Sequence, residues 1–156
     1  MLALLKFLWF PTTVVLVTLA WIWLDSALGW RGMHLPVLGW ALIATGALLS
    51  GWCTAVFRSL GKGTPHPFAA KTKRLVIAGP YRIVRNPMMW GVGAVLVGLS
   101  LLLASVGLWI GFAAFVIYIN VFLRVYEEPD MERRFGDEYR EYCRRVPRWL
   151  PRFRPK

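Results

Sequence analysis

The chain has 156 residues, of which 57% are hydrophobic and 17% charged, with nine Trp and a formal net charge of +11. That length suits one domain, read over residues 1–156. The charged fraction lies well below the roughly 25% of soluble domains, and mean hydropathy is +0.50, which excludes a disordered chain, a disulfide scaffold and an ordinary soluble enzyme and leaves a small integral membrane protein.

The first predicted element is a membrane span over residues 7–24, uncharged from Phe7 to Leu24. The second runs from Leu35 to Phe57 and stops at Arg58. Each approaches or exceeds the roughly 20 apolar residues that cross a hydrocarbon core about 30 Å thick. The first run is longer than a signal-peptide core and no small-residue cleavage site follows it cleanly, so no signal peptide is read. After a basic loop comes the segment from Leu75 to Gly91. It holds a Gly79-Pro80 turn, Tyr81, two arginines (Arg82 and Arg85) and Asn86-Pro87. Asn is a favoured N-cap and Pro suits the first helical turn, so Pro87 is expected to open a helix. On physical grounds alone the segment reads equally well as a capped helix behind a basic membrane-proximal loop.

The uncharged run from Pro87 to Leu123 covers 37 residues, a helix of roughly 55 Å if unbroken and too long for one crossing. Two short spans with a turn near Ala104-Ser105-Val106-Gly107 fit instead. Within the last of them Gly107 and Gly111 stand four apart, and this GxxxG-type face is assigned to close packing of the hairpin rather than to dimerisation. Four spans place all but Arg31 of the 19 basic residues on one side. The positive-inside rule then puts both termini and the 58–86 loop in the cytoplasm. Topology and attraction to anionic lipid explain the +11 charge, and no nucleic-acid partner is inferred.

Where the last span leaves the membrane, Asn120, Arg124 and Glu127 fall at i, i+4 and i+7, on one helix face. Glu127 and Glu128 are adjacent carboxylates, which repel and call for donors or cations nearby. The bland alternative is a snorkelling Arg124 paired with the glutamate at the interface. Met131, Phe135, Tyr139 and Tyr142 then recur among charges, predicting an amphipathic helix over 130–145 that lies on the membrane or caps the bundle. Val146-Pro147 should end it and the Pro/Arg-rich tail should fray. The predicted fold is all-α: four transmembrane helices, the last two a tight hairpin, plus a C-terminal amphipathic cytoplasmic helix. Cys53, Cys143, His34 and His66 stand apart in sequence, so neither a bridge nor a metal site is assigned.

Gly79-Pro80-Tyr81, Arg85-Asn86-Pro87, Glu127-Glu128, and then Phe135-Gly136, Tyr139, Tyr142 and Val146-Pro147 occur in this order. Together they resemble the isoprenylcysteine carboxyl methyltransferase and phospholipid methyltransferase superfamily, integral membrane enzymes that use S-adenosylmethionine. Gly63-Thr64-Pro65-His66-Pro67 is similar to a stretch of bacterial members, and the resemblance covers about residues 60–150. Asn86 stands where carboxyl methyltransferases usually carry His, and Met89 where many members carry Tyr. The Asn-Pro-Met and Glu-Glu-Pro forms look like phosphatidylethanolamine methyltransferase, whereas the tail looks like the carboxyl methyltransferases. That mixture leaves the substrate open.

The resemblance implies methyl transfer from S-adenosylmethionine to a lipid-like or membrane-associated acceptor, either carboxylate or amine. It places cofactor contacts at Leu75, Val76, Tyr81, Asn86, Pro87, Met88, Met89 and Glu127. A carboxylate at Glu127 suits the cofactor's ammonium or ribose diol, and free N–H groups where the helix opens suit its carboxylate. Tyr81 and Trp90 offer rings to adenine or sulfonium. Arg124 and Glu128 are the expected catalytic residues. Arg124 would orient an anionic group of the acceptor, and Glu128 would take the proton of an amine acceptor. No Gly-rich dinucleotide fingerprint occurs. The implied partners are the bilayer and a lipid or lipid-like substrate, without metal; oligomeric state is left open. The implied location is a multi-pass membrane site, the inner membrane in a bacterium, with the cofactor pocket cytoplasmic. Two alternatives compete. An NADPH-dependent membrane lipid reductase needs a denser phosphate-binding lining, and a non-enzymatic membrane interaction protein leaves both polar segments unexplained.

Overall fold

The computed structural model describes residues 18–61 and 74–151, and all regular structure among them is helical. Residues 18–28 form α1. There follow α2 (Pro36–Leu60), a 3-10 turn (Gly79–Arg82), α3 (Pro87–Leu102), α4 (Val106–Phe122), a π turn (Leu123–Glu127) and α5 (Glu128–Arg145). Most of the first predicted span, residues 7–17, lies outside the described residues, as does Gly63-Thr64-Pro65-His66-Pro67; residues 18–24 of that span are helical. Two described helical stretches hold a segment long and apolar enough to cross a membrane, Pro36–Leu60 and Val106–Arg145, while Pro87–Leu102 is apolar but shorter.

Proline opens both α2 and α3, where a missing N–H costs nothing. These helices run antiparallel along a glycine seam. A Cβ on Gly46 would lie 2.5 Å from the carbonyl oxygen of Gly91, and one on Gly98 2.7 Å from that of Gly39. Backbone meets backbone at both points, the close approach that small residues permit where lipid removes any hydrophobic drive.

Three residues, Leu103 to Ser105, carry the chain from α3 to α4, and Ala104 adopts a left-handed φ of 49°. The α4 N-terminus is capped from two sides. Ser105 Oγ accepts from Leu108 N at 3.1 Å, and the buried Asp25 accepts from Gly107 N at 2.9 Å and from the Ser105 hydroxyl. Donors that a helix start leaves unpaired are thus satisfied by a residue of α1. Gly107 and Gly111 differ from expectation. A Cβ on Gly107 would lie 2.7 Å from Trp21 Cε3, so this face receives the tryptophan of α1 rather than α3.

At the other end α5 caps the loop before α3. Tyr139, Tyr142 and Val146 form a buried cluster joined by Leu75, Met131, Phe135 and Cys143. The helix predicted over 130–145 begins at Glu128 and is kinked at Gly136 (φ 53°, ψ −126°) into two halves set at an angle. Val146 ends it in an extended conformation. The fraying expected beyond is corrected for residues 147–149, whose backbone or side chains bond three different elements.

Candidate functional site

Gly79, at φ 54°, allows the chain to turn sharply, and the turn buries Pro80 and Tyr81. Tyr81 packs with Cys53 and Val76, its ring edge-on to Phe57 at 4.8 Å, and its carbonyl accepts from the Tyr142 hydroxyl at 2.8 Å. Burial raises the phenols of Tyr81, Tyr139 and Tyr142 above their usual range, which keeps them neutral. Val76 and Tyr81 therefore join the loop to α2, with the Tyr81 ring buried in that cluster. Leu75 packs on the Tyr139 cluster, Met88 packs on the Tyr81 cluster, and Pro87 is buried. Met89 is half-buried. Asn86 occupies the predicted N-cap position, but its side chain makes no capping bond.

The loop and the end of the last long helix meet at Arg85 and Glu128. Arg85 Nη1 lies 3.0 Å from Glu128 Oε1 and 2.8 Å from Cys143 Sγ. Arg148 forks onto the same carboxylate, with Nε 2.9 Å from Oε1 and Nη2 2.5 Å from Oε2. Arg85 N donates to the Pro147 carbonyl at 2.9 Å. Trp90 Nε1 donates to the Trp149 carbonyl at 3.1 Å, and Trp149 Nε1 to Asn120 Oδ1 at 3.0 Å. Both oxygens of Glu128 are thus occupied by guanidinium groups.

Glu127 has a different setting. Residues 123–127 wind as a π turn, which holds more residues per turn than an α-helix. The expected alignment of Asn120, Arg124 and Glu127 assumed α-helical register throughout, and the π turn rotates Glu127 off that line. Asn120 turns to Trp149, while Arg124 and Glu127 are exposed with no ion pair between them among the described residues. Glu127 lies past the apolar stretch that closes at Leu123. Protein crowded against its inner flank, then the carboxylates of Glu128 and Asp130, hold its carboxyl above the usual range. An open groove of about 490 Å³ beside the same turn is lined by Val125, Pro129, Glu132, Arg133 and Arg140.

Sequence reasoning missed Arg148, Trp149 and Cys143 as members of this node. A signal existed in Trp149, an aromatic residue that a solvated tail has no use for. Among the described residues no group of three or more His, Cys, Asp or Glu could hold a metal ion.

A protein of Haemophilus influenzae described as uncharacterized is 48% identical over 42 residues, 27% of this chain and 67% of its own length. No solved structure matches. The sequence profile described as phospholipid methyltransferase matches residues 35–138, beginning ahead of the 60–150 stretch that carries the motifs. More than half the chain lies within that match, α2 and the Arg85–Glu128 contact included, and the chain belongs to the phospholipid methyltransferase family.

Proposed function

We propose that the chain is an S-adenosylmethionine-dependent integral membrane methyltransferase acting on a lipid-like or membrane-associated acceptor. The observation that carries this reading is Glu127. It is an exposed carboxylate with no ion pair among the described residues, one residue from the Glu128–Arg85 contact that brings in the start of α3. The residues present fit S-adenosylmethionine: the acid suits its ammonium or ribose hydroxyls. The helix start at Asn86-Pro87-Met88, whose N-cap Asn86 side chain makes no capping bond, suits its carboxylate. When bound, that cofactor supplies a methyl group on a cationic sulfur.

The chain's own part is to orient and to exclude water. Glu127 and the 86–89 helix start would hold the polar ends of the cofactor, and Leu75, Val76 and Tyr81 would supply apolar and aromatic contacts. Arg124, exposed at the boundary, orients an anionic group of the acceptor by paired hydrogen bonds. A carboxylate acceptor needs no base. An amine acceptor must lose a proton, and Glu128 can take it only after releasing Arg148, so in the resting structure Glu128 acts as a clamp.

Four spans, the last two a hairpin with both termini and the site cytoplasmic, belong to the same proposal. Exposed Arg58, Arg82 and Arg124 flank the node, while Arg31 adjoins the α3–α4 turn through Gly32, whose N–H bonds the Ala104 carbonyl at 2.7 Å. This segregation follows the positive-inside rule. The test is incubation of the purified protein with methyl-labelled S-adenosylmethionine and membrane lipid extract. Label is expected in the lipid fraction. No transfer, with a thermal shift by NADPH and none by S-adenosylhomocysteine, would favour the reductase instead.

A further inference from the structure

We propose that Arg148 is a positioning residue of the cofactor site: by forking onto Glu128 it turns that carboxylate inward and leaves Glu127 facing outward to receive a cation. The proposal rests on Glu127 being the acid that binds the cofactor.

Three consecutive tail residues each bond a different part of the site. Pro147 takes the Arg85 N–H, Arg148 takes both oxygens of Glu128, and Trp149 bridges Trp90 on α3 to Asn120 on α4. The tail thus straps the start of α3 to the end of α4, the two flanks between which a cofactor would sit. The ion pairs are interior ones, with side-chain exposures of 16% for Arg85, 20% for Arg148 and 24% for Glu128. Arg85 does not complete the clamp by itself. It shares Nη1 between Glu128 and Cys143, and its buried Nε has no hydrogen-bond partner among the described residues.

A two-pronged guanidinium fixes the plane of a carboxylate, which a point charge does not. Fixing Glu128 fixes the residue joined to it. Glu127 closes a π turn, a conformation that persists where surrounding contacts hold it. Two cations on Glu128 also offset its charge toward Glu127. Glu128 and Asp130 on the same rod and Tyr81 from the 3-10 turn are the titratable groups that interact with Glu127 among the described residues, and Arg85 and Arg148 reach it only through Glu128.

The experiment measures S-adenosylhomocysteine and S-adenosylmethionine affinity from pH 5 to 8, with unliganded melting temperature, for wild type, Arg148→Gln, Arg148→Lys and Glu127→Gln in detergent. Arg148→Gln should weaken S-adenosylmethionine binding by about tenfold at neutral pH, the scale of one charge-assisted hydrogen bond. It should also move the acid limb of binding to higher pH. With one cation gone, Glu128 presses harder on Glu127, which then keeps its proton to a higher pH and loses its hold on the ammonium sooner. Arg148→Lys restores the charge without the fork, so it should return the acid limb while recovering part of the affinity. A lower melting temperature with unchanged affinity and acid limb in both variants would overturn the proposal and leave Arg148 a structural ion pair. If Arg148→Gln does not fold, wild-type affinity in Arg148→Lys decides against the fork. Affinity lost in Glu127→Gln but kept in both Arg148 variants sinks the strap while the cofactor reading stands. A wild type that binds neither ligand overturns both.

Discussion

Asp25 and Glu128 show how an acid is held when it leaves water. Asp25 is buried and accepts from Gly107 N and the Ser105 hydroxyl, so it completes the cap of α4. Asp25→Ala should lower stability by about 2 kcal/mol, since it strands donors at a helix start. Asp25→Asn, which keeps one acceptor oxygen, should cost less. Thermal unfolding in detergent checks both, and an unchanged Asp25→Ala would show that the cap contributes nothing. The sequence singles out Glu127 and Glu128, because adjacent carboxylates need an explanation. Which of the two turns inward is not legible, because that depends on Arg148, twenty residues away and beyond the break at Gly136. Asp25 was hidden for a similar reason: its partners lie eighty residues on.

Element by element, glycine decides how closely the helices approach. Gly91→Ala would set a methyl 2.7 Å from the Gly46 carbonyl oxygen and against the Ser50 side chain, so α2 and α3 must part. The expected loss is about 1–3 kcal/mol, typical of overpacking. Gly51→Ala is the matched control. It lies on α2 with nothing within 4 Å of the new methyl, so it should be neutral or raise stability by up to about 1 kcal/mol through helix propensity. Equal effects from the two substitutions would contradict a backbone seam. Gly136→Ala meets no neighbour within 4 Å, yet its φ of 53° with ψ of −126° is a conformation side chains rarely adopt. It should cost about 1–3 kcal/mol from backbone strain, measured by the same unfolding. Spacing in the sequence points to Gly107 and Gly111, but it cannot reveal that a tryptophan from α1 fills them. It passes over Gly39, Gly46, Gly91 and Gly98, whose seven-residue spacing on each helix aligns them only once α2 and α3 are set antiparallel. The π turn escapes sequence periodicity altogether, because reasoning from about 3.6 residues per turn has no place for it.

Across the whole molecule, composition and the order of motifs carry most of what sequence reading achieved: the all-helical class, the apolar stretches and the family. The tail was misjudged because a Pro- and Arg-rich composition reads as solvated chain, whereas its bonds go to residues far back in the sequence. Orientation can be tested directly. A reporter inserted between residues 62 and 73, and another at the C-terminus, should both be active in the cytoplasm; activity on opposite sides would break the four-span topology. The most direct test of a cofactor site at Glu127 compares S-adenosylmethionine affinity and unliganded melting temperature in wild type and Glu127→Gln. The substitution keeps shape and removes charge, so binding should weaken by roughly tenfold or more, at about 1.4 kcal/mol per decade. Melting temperature should hold, because the exposed Glu127 makes no ion pair among the described residues. Wild-type affinity in Glu127→Gln, with or without a change in melting temperature, would contradict the assignment.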